Sequence, residues 1–457
     1  MPDELLALSP LDGRYARETE SLRDTFSEFA LIRDRVRIEI AYLRALSRDL
    51  HSMREFTSPE LDFLKSLSDS FSLDDARQVK DLEAITRHDV KAVENFLRAR
   101  FTPTSLADSV QWIHFALTSE DTNNLAQAIA LRDSRDRVIL PALDKIIAQL
   151  IELVRAHKST PMLARTHGQP AVPTTFGKEI AVFLSRLHKQ SAALKAHRFE
   201  AKLTGAVGNF NAATSAAPQF NWISFSEKFI RELDLEPNLI TTQILPYDNW
   251  LEYFGILQRI NSILLDFAQD IWRYISDDYL KLKVIASEVG SSTMPQKVNP
   301  IDFENAEGNL SIANSLFEGF ARKLSVSRLQ RDLSDSTVRR AFGTALGHSL
   351  VAYASLSRGM TRIEADETAM KNELENHWEV IAEGAQTILR AAGVAEAYDQ
   401  LKSLTRGKRV TKESYSQWIE NLNADESIKS KLRALTPFTY IGLAEQIAEN
   451  ILTTVTT

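Results

Sequence analysis

The stretch between Pro246 and Gly290 limits the possible folds more than any other part of this chain. It holds no proline and a single glycine, Gly255, and its apolar residues Tyr253, Leu257, Ile260, Leu264, Phe267, Ile271 and Tyr274 step by 4, 3, 4, 3, 4, 3. That spacing is a heptad seam on a helix. Ile256, Ile263 and Ile275 fall outside the seam, so more than one face is apolar and the helix belongs among several neighbours rather than on a surface. A helix filling the whole stretch would run roughly 60 Å at about 1.5 Å per residue, which outgrows a compact monomer.

Ala142 to His157 (Leu143, Ile147, Leu150, Val154) and Lys178 to Thr204, the latter free of glycine and proline, read as further helices, as do 301–325 and 334–357. Alternating β-branched patterns are scarce, so the predicted class is all-α with a central bundle of long helices. Core packing explains any one seam, whereas several very long ones together favour helices shared between subunits. A chain of 457 residues exceeds one growing core and implies about two to four structural units. Shorter segments broken by "FTSPELD" and "FTPTS" mark an N-terminal helical domain over 1–108. The long-helix bundle follows over 109–359, and short amphipathic pieces around "TRGKRVTKESYSQ" make a C-terminal helical domain over 360–457.

Apolar residues at 44%, charged residues at 25% and a mean hydropathy of −0.21 fit a soluble globular protein. No window approaches an apolar span of roughly 20 residues, and the start lacks a basic region followed by an apolar one, so a cytoplasmic protein with no membrane partner is expected. Cysteine is absent, which excludes disulfide scaffolds, thiolate nucleophiles and cysteine-type zinc sites. The net charge of −7 and pI near 5.8 argue against nucleic acid as a partner, so an anionic ligand must meet a local cluster of cations.

No GxSxG, HExxH, GxxxxGK[ST] or GxGxxG occurs, which removes the usual support for serine hydrolase, zincin, P-loop and Rossmann readings. Irregular polar stretches at the ends of the helices remain. "ARTHGQPAVPTTFG", 164–177, sets His167 in a Gly/Pro-bounded turn, either structural or a proton donor near neutral pH. "HFALTSEDTNN", 114–124, groups Thr118, Ser119, Asp121, Asn123 and Asn124, either as ordinary N-cap chemistry or as hydroxyls and N–H groups that hold a carboxylate. "GSSTMPQKVNP", 290–300, is a poor helix or strand yet sets Lys297 two residues before Asn299. It is either a connector or a source of donors for negative charge developing beside a carboxylate. "SRLQRDLSDSTVRR", 327–340, interleaves Arg328, Arg331, Arg339 and Arg340 with Ser336 and Thr337, as a solvated helix face or as guanidinium forks for phosphate or carboxylate. Arg14, Tyr15, His88 and Lys91 are lesser candidates.

These stretches match a family in order and spacing. "GSSTMPQKVNP" resembles the signature loop of the fumarase, aspartase and argininosuccinate lyase superfamily, whose members release fumarate by β-elimination. "SPLDGRY", "HDVKAVE", "HFALTSEDTNN", "RTHGQPAVPTTFGKE", "GAVGNFNA", "TTQILPYD", "GSSTMPQKVNPIDFEN" and "RLQRDLSDSTVRR" together are similar to the bacterial adenylosuccinate lyase family. The resemblance implies a three-domain all-α lyase fold, a homotetramer with a shared twenty-helix core, and active sites built from three chains. The implied substrates are succinylated purine nucleotides, adenylosuccinate and the succinylated imidazole carboxamide ribotide, with fumarate as common product and neither metal nor organic cofactor.

By the same resemblance, Ser291 is the general base at the succinyl Cβ, His167 protonates the departing nitrogen, Glu304 orients that histidine, and Lys297 stabilises the carbanion-like intermediate. Substrate-binding positions fall on Arg14, Tyr15, His88, Asp89, His114, Thr118, Ser119, Gln243, Ser292, Lys297, Val298, Asn299, Asn305 and Arg331. They continue over Ser336, Thr337, Val338, Arg339 and Arg340. Two departures touch nucleotide contacts: Gln296 stands where relatives often have histidine, and Arg87 where asparagine is usual. The rival readings are argininosuccinate lyase, a catalytically silent structural protein on the same bundle, as some lens proteins are, and an unrelated helical scaffold.

Overall fold

In the computed structural model, which describes residues 4–285, 293–294, 296–394, 401–402 and 410–456, the predicted seam is buried up to Ile271, and its last member, Tyr274, is half-buried. Tyr253, Leu257, Ile260, Leu264, Phe267 and Ile271 are all at 0% exposure on the helix Asp248–Ser276. Ile256 and Ile263, off the seam, are buried too, as expected of a helix with neighbours on several sides. The 29 residues span about 43 Å, less than the full stretch allows. The helix stops because Asp278 takes a left-handed conformation (φ 60°) and the Tyr279 N–H closes back on the Tyr274 carbonyl at 2.9 Å. That is a Schellman-type end, and aspartate tolerates it better than a β-branched residue would.

Long helices dominate: Glu28–Asp49, Ser119–Ser134, Leu140–His157, Phe176–Ala196, Ile301–Leu324 and Phe342–Arg362. A π-helical turn, Arg135–Ile139, joins the second to the third just ahead of Pro141, whose missing N–H and ring disrupt regular α hydrogen bonding. Two expected helices are shorter than their composition suggests. The one from 178 ends at Ala196, after which Glu200–Ala201 pairs in parallel with Glu236–Pro237. The one from 334 breaks after Arg339 and restarts at Phe342. The described residues hold three two-stranded sheets, minor features of an all-α protein.

The chain forms two compact units, each assembled from separated stretches. The first comprises 1–142, 192–261 and 309–351, and the second 143–191, 262–308 and 352–457. In the first, an aromatic cluster of Phe254, Phe317, Phe320 and Phe342 closes the core. In the second, Leu374, Trp378, Ile381, Leu389, Tyr415, Ile419 and Leu432 form an apolar cluster of their own. Glycines set the closest approaches. A Cβ at Gly343 would lie 2.6 Å from Phe26 Cβ, and one at Gly347 2.9 Å from Leu11, so the N-terminal segment that carries Arg14 and Tyr15 lies directly on this helix.

Gly208 is more constrained, with φ at +87° and a Cβ there 2.1 Å from the Thr241 carbonyl oxygen. Gly208→Ala combines a disfavoured left-handed backbone with a clash against main chain, and should lower stability by at least about 2 kcal/mol. A urea midpoint equal to wild type would contradict this account of the 204–208 loop.

Candidate active site

The helix Ser119–Ser134 starts at the turn expected to be a capping cluster. Thr118 is its N-cap, and the Thr118 N–H donates to Asp121 Oδ2 at 2.9 Å. The residues that follow face inward, with Glu120, Asp121, Thr122 and Asn124 all at 0% exposure. Buried polar groups cost free energy unless paired, and each of these finds a partner on another segment. Asp121 Oδ1 forms an ion pair with the fully buried Lys202 Nζ at 3.0 Å and accepts from the Thr204 N–H at 3.1 Å. Asn124 Oδ1 accepts from the Lys202 N–H (2.8 Å), and Asn124 Nδ2 donates to the Lys202 carbonyl (3.0 Å). Thr122 donates to Glu39 Oε1 at 2.8 Å, and Asn123 accepts from Arg35 Nε at 2.8 Å.

Glu120 collects the arginine-rich segment. Arg339 Nη1 and Nη2 donate to its two carboxylate oxygens at 2.7 and 2.9 Å, and Arg331 Nη2 lies 3.3 Å from Oε2. Asp335, on the short helix Ser334–Arg339, pairs with Arg339 at 3.2 Å and accepts from the Tyr247 hydroxyl at 2.8 Å. Arg331 Nη1 donates to Gln243 Oε1 at 3.3 Å. Burial pulls the Arg339 pKa down, but attraction to Glu120, Tyr247 and Asp335 outweighs it and the guanidinium stays charged. Arg339 is therefore enclosed, whereas Thr337 and Arg340 are exposed, and Arg331, Ser336 and Val338 are half-buried around it. Arg340 Nη1 donates to Glu28 at 3.3 Å.

A second group gathers around the same helix start. His114, with a left-handed backbone (φ 57°), places Nδ1 2.7 Å from Glu39 Oε1. Burial lowers its pKa, but attraction to and hydrogen bonding with Glu39 more than compensate, so the net shift is upward. Arg35 Nη2 donates to Asp89 at 2.6 Å. Burial raises the Asp89 pKa, yet the Arg35 charge prevails and the carboxyl is held below its usual range. His88 caps the helix Asp89–Phe101, its Nδ1 accepting from the Lys91 N–H at 3.2 Å. When neutral, it thus carries its proton on Nε2. Arg14 is exposed, and Tyr15 half-buried as the N-cap of Ala16–Thr19.

The second unit holds the other expected residues. His167 and Gly168, at φ 54° and 73°, are the two-residue tip of a hairpin between Pro161–Thr166 and Gln169–Thr175. Such a tip demands positive φ at both positions, which glycine meets freely and histidine tolerates better than most residues. Leu163 in the hairpin base packs into the 374–432 cluster and Arg165 pairs with Glu373, so the base is anchored while His167 is exposed. Lys297 and Val298 are exposed and Asn299 half-buried, just before Ile301–Leu324. Asp302 in its first turn pairs with Arg358 and Arg362 at 3.2 and 3.3 Å, and Asn305 accepts from Ser355 at 2.8 Å. Glu304 is exposed and accepts from Trp272 Nε1 at 3.1 Å; no hydrogen bond joins it to His167 within the chain. Ser291 and Ser292 lie outside the described residues. Among the described residues no group of three or more His, Asp or Glu side chains is placed to hold a metal ion, and no helix is long and apolar enough to cross a membrane.

Comparison with known proteins places this arrangement. The family described as "Lyase" matches residues 13–313, and "Adenylosuccinate lyase C-terminal" matches 327–441. The adenylosuccinate lyase of Haemophilus influenzae is 45% identical over 98% of this chain and 99% of its own, and that of Escherichia coli K12 is 44% identical over the same shares. This chain belongs to the adenylosuccinate lyase family. It is a lyase. Solved structures share its fold at lower identity. A fumarate lyase from Mesorhizobium sp. BNC1 superposes with a TM-score of 0.76 at 18% identity, covering 95% of this chain and 97% of that one. The 3-carboxy-cis,cis-muconate lactonizing enzyme from Pseudomonas putida does so with 0.76 at 19%, covering 96% and 97%.

One departure from the adenylosuccinate lyase family pattern falls at a strained position. Arg87 is the left-handed C-cap (φ 51°) of the helix Leu73–Thr86, a position where asparagine sits more comfortably. The residues that sequence reasoning missed are Glu39, Arg35, Glu120, Lys202 and Tyr247. Glu120 had a signal in its place inside the capping cluster, whereas Lys202 sat unmarked in a run that reads as helix.

The His114–Glu39 pair gives a pH prediction. A native pKa raised above the ordinary value of about 6.5 contributes stability that is full below the unfolded pKa and is lost as pH rises through the native one. NMR titration should find His114 above that ordinary value, and Glu39→Gln should bring it down and flatten the loss of stability with rising pH. An unshifted His114 would remove Glu39 as the cause.

Proposed function

We propose that this protein cleaves adenylosuccinate to AMP and fumarate, and the succinylated imidazole carboxamide ribotide to its aminoimidazole product and fumarate, in the cytoplasm as a homotetramer. The observation that carries the reading is the near-complete match to relatives named adenylosuccinate lyase, together with the polar clusters at the expected stretches 114–124 and 327–340. The three-part division at about residues 108 and 360 belongs to the same reading, and the apolar cluster over 374–432, which Leu163 joins from the hairpin, supports a C-terminal unit.

In the proposed reaction, Ser291 takes the proton from the succinyl Cβ and electrons flow into the neighbouring carboxylate. The C–N bond then breaks as His167 protonates the departing nitrogen. A proton beside a carboxylate is weakly acidic, so the dianion needs donors already in place. Lys297, Asn299 and Ser292 would supply them at the succinyl group, with Thr118 and Ser119. Arg14, Tyr15, His88, Asp89, His114, Gln243, Val298, Asn305, Arg331 and 336–340 would hold the rest of the substrate.

An exposed His167, with Glu304 turned to Trp272 in its own chain, is what a site completed by other chains would leave on each one. Helix Ile301–Leu324 supports the same view. Ile301, Gly308, Ile312, Ser315 and Gly319 follow at steps of 7, 4, 3 and 4 and are exposed, and beyond the helix's own backbone nothing lies within 4 Å of a Cβ built at either glycine. A small and apolar stripe at heptad spacing suits a helix of a second copy.

An absorbance assay with adenylosuccinate against argininosuccinate separates this reading from its nearest rival, and turnover of neither favours the catalytically silent bundle. Ser291→Ala and His167→Ala should each slow turnover at least about 100-fold with the fold intact. Mixing the two inactive variants under conditions of verified subunit exchange should restore part of the activity, and no recovery would count against sites shared between chains. Ile312→Glu should yield smaller species in light scattering; an unchanged tetramer would remove this stripe from the interface.

A further inference from the structure

The reading above assigns Arg331 and 336–340 to the substrate but gives no role to the carboxylate on which Arg331 and Arg339 converge. Glu120 is fully buried and follows Ser119 directly, so its backbone belongs to the turn that presents Thr118 and Ser119. Its two oxygens take both Nη groups of Arg339 and one of Arg331. It is thus where the hydroxyl-bearing turn and the arginine segment meet.

The charges there balance: Arg331 and Arg339 against Glu120 and Asp335. The two arginines differ in how far they can move. Arg339 has 2% of its side chain exposed and a further tie to Gln127 at 2.7 Å, so it is confined whatever Glu120 does. Arg331 has 16% exposed. Asp335 is 3.9 Å from its Nε, and its hydrogen bond to Gln243 is long at 3.3 Å. With the Glu120 charge removed, the excess positive charge favours Arg331 swinging toward water, away from the buried carboxylate position.

We infer that Glu120 is a positioning residue of the proposed lyase reaction: it does not touch substrate, but it aims Arg331 so that this guanidinium and the Thr118–Ser119 turn present one preformed surface to an anionic group of the substrate. This rests on the reading above. Preformed orientation strengthens binding because the substrate need not order the side chain itself. A merely structural ion pair would instead change how much protein is folded while leaving the kinetics of the folded fraction alone.

The test uses full-length wild type, Glu120→Gln and Glu120→Asp, with thermal unfolding followed by circular dichroism and kinetics measured well below the transition. Glu120→Gln keeps the shape and removes the charge. It should raise KM for adenylosuccinate about 10-fold or more and change kcat less than about 3-fold, the pattern of lost binding that is uniform in ground and transition states. Glu120→Asp keeps the charge one methylene farther back and should fall between Gln and wild type in KM. A folded Gln variant with wild-type KM overturns the inference, as does activity that falls only in step with the folded fraction. If the Gln variant does not fold, the Asp variant decides: a raised KM with kcat kept supports the role, and a wild-type KM overturns it. A wild type that does not turn over adenylosuccinate sinks the reading and the inference together, whereas an active wild type with indifferent variants sinks the inference alone.

Discussion

The buried start of the helix Ser119–Ser134 is the constraint on which the first unit depends. The side chains of residues 120–124 tie three other parts of the chain to this turn. Glu120 takes the arginine segment, Asp121 and Asn124 the 202–204 stretch, and Thr122 and Asn123 the helix Glu28–Asp49 through Glu39 and Arg35. Removing one partner of a buried ion pair such as Lys202–Asp121 typically costs about 3–5 kcal/mol, because the other charge is stranded. This turn therefore has a single conformation. Thr118 and Ser119, at its edge, inherit that rigidity, which is what a group meant to meet an anion requires.

Backbone strain follows the same map. Among the described residues eight non-glycine positions have positive φ, and His114, Ala116, His167, Phe210 and Leu329 among them lie in stretches that match the family. Each costs on the order of 1–3 kcal/mol and persists only where its surroundings over-determine it. At His167 the surroundings are the paired strands of a hairpin, and at His114 the ion pair to Glu39. In both cases the strained backbone turns an imidazole to where a regular helix would not put it.

The helical architecture was legible because burial repeats along a helix with a fixed period. Every seam position from Tyr253 to Ile271 proved to be fully buried. Helix ends were read less well, since the left-handed turn at Asp278 falls in a run with no proline or glycine to mark it, and the parallel pairing of Glu200–Ala201 depends on a partner farther along the chain. The hairpin under His167 was hidden for a related reason: "PMLARTHGQPAVPTT" is rich in proline and polar residues, and only the cluster under Leu163 makes it a pair of strands. The polar stretches were recognisable as units, but which of their side chains face inward was not. Arg339 and Arg340 are adjacent and alike in sequence, yet one is enclosed by Glu120 and the other exposed.

By itself the sequence determined the class of the protein and the stretches from which its chemistry is drawn, because periodicity and local turn residues act over a few positions and leave a visible pattern. Only the tertiary structure decided which charges are structural and which are presented to solvent. A buried carboxylate such as Glu120 or a buried lysine such as Lys202 is set by partners about 80 to 220 residues away, and pairing across that distance obeys electrostatics and desolvation, not any spacing that the chain displays in one dimension.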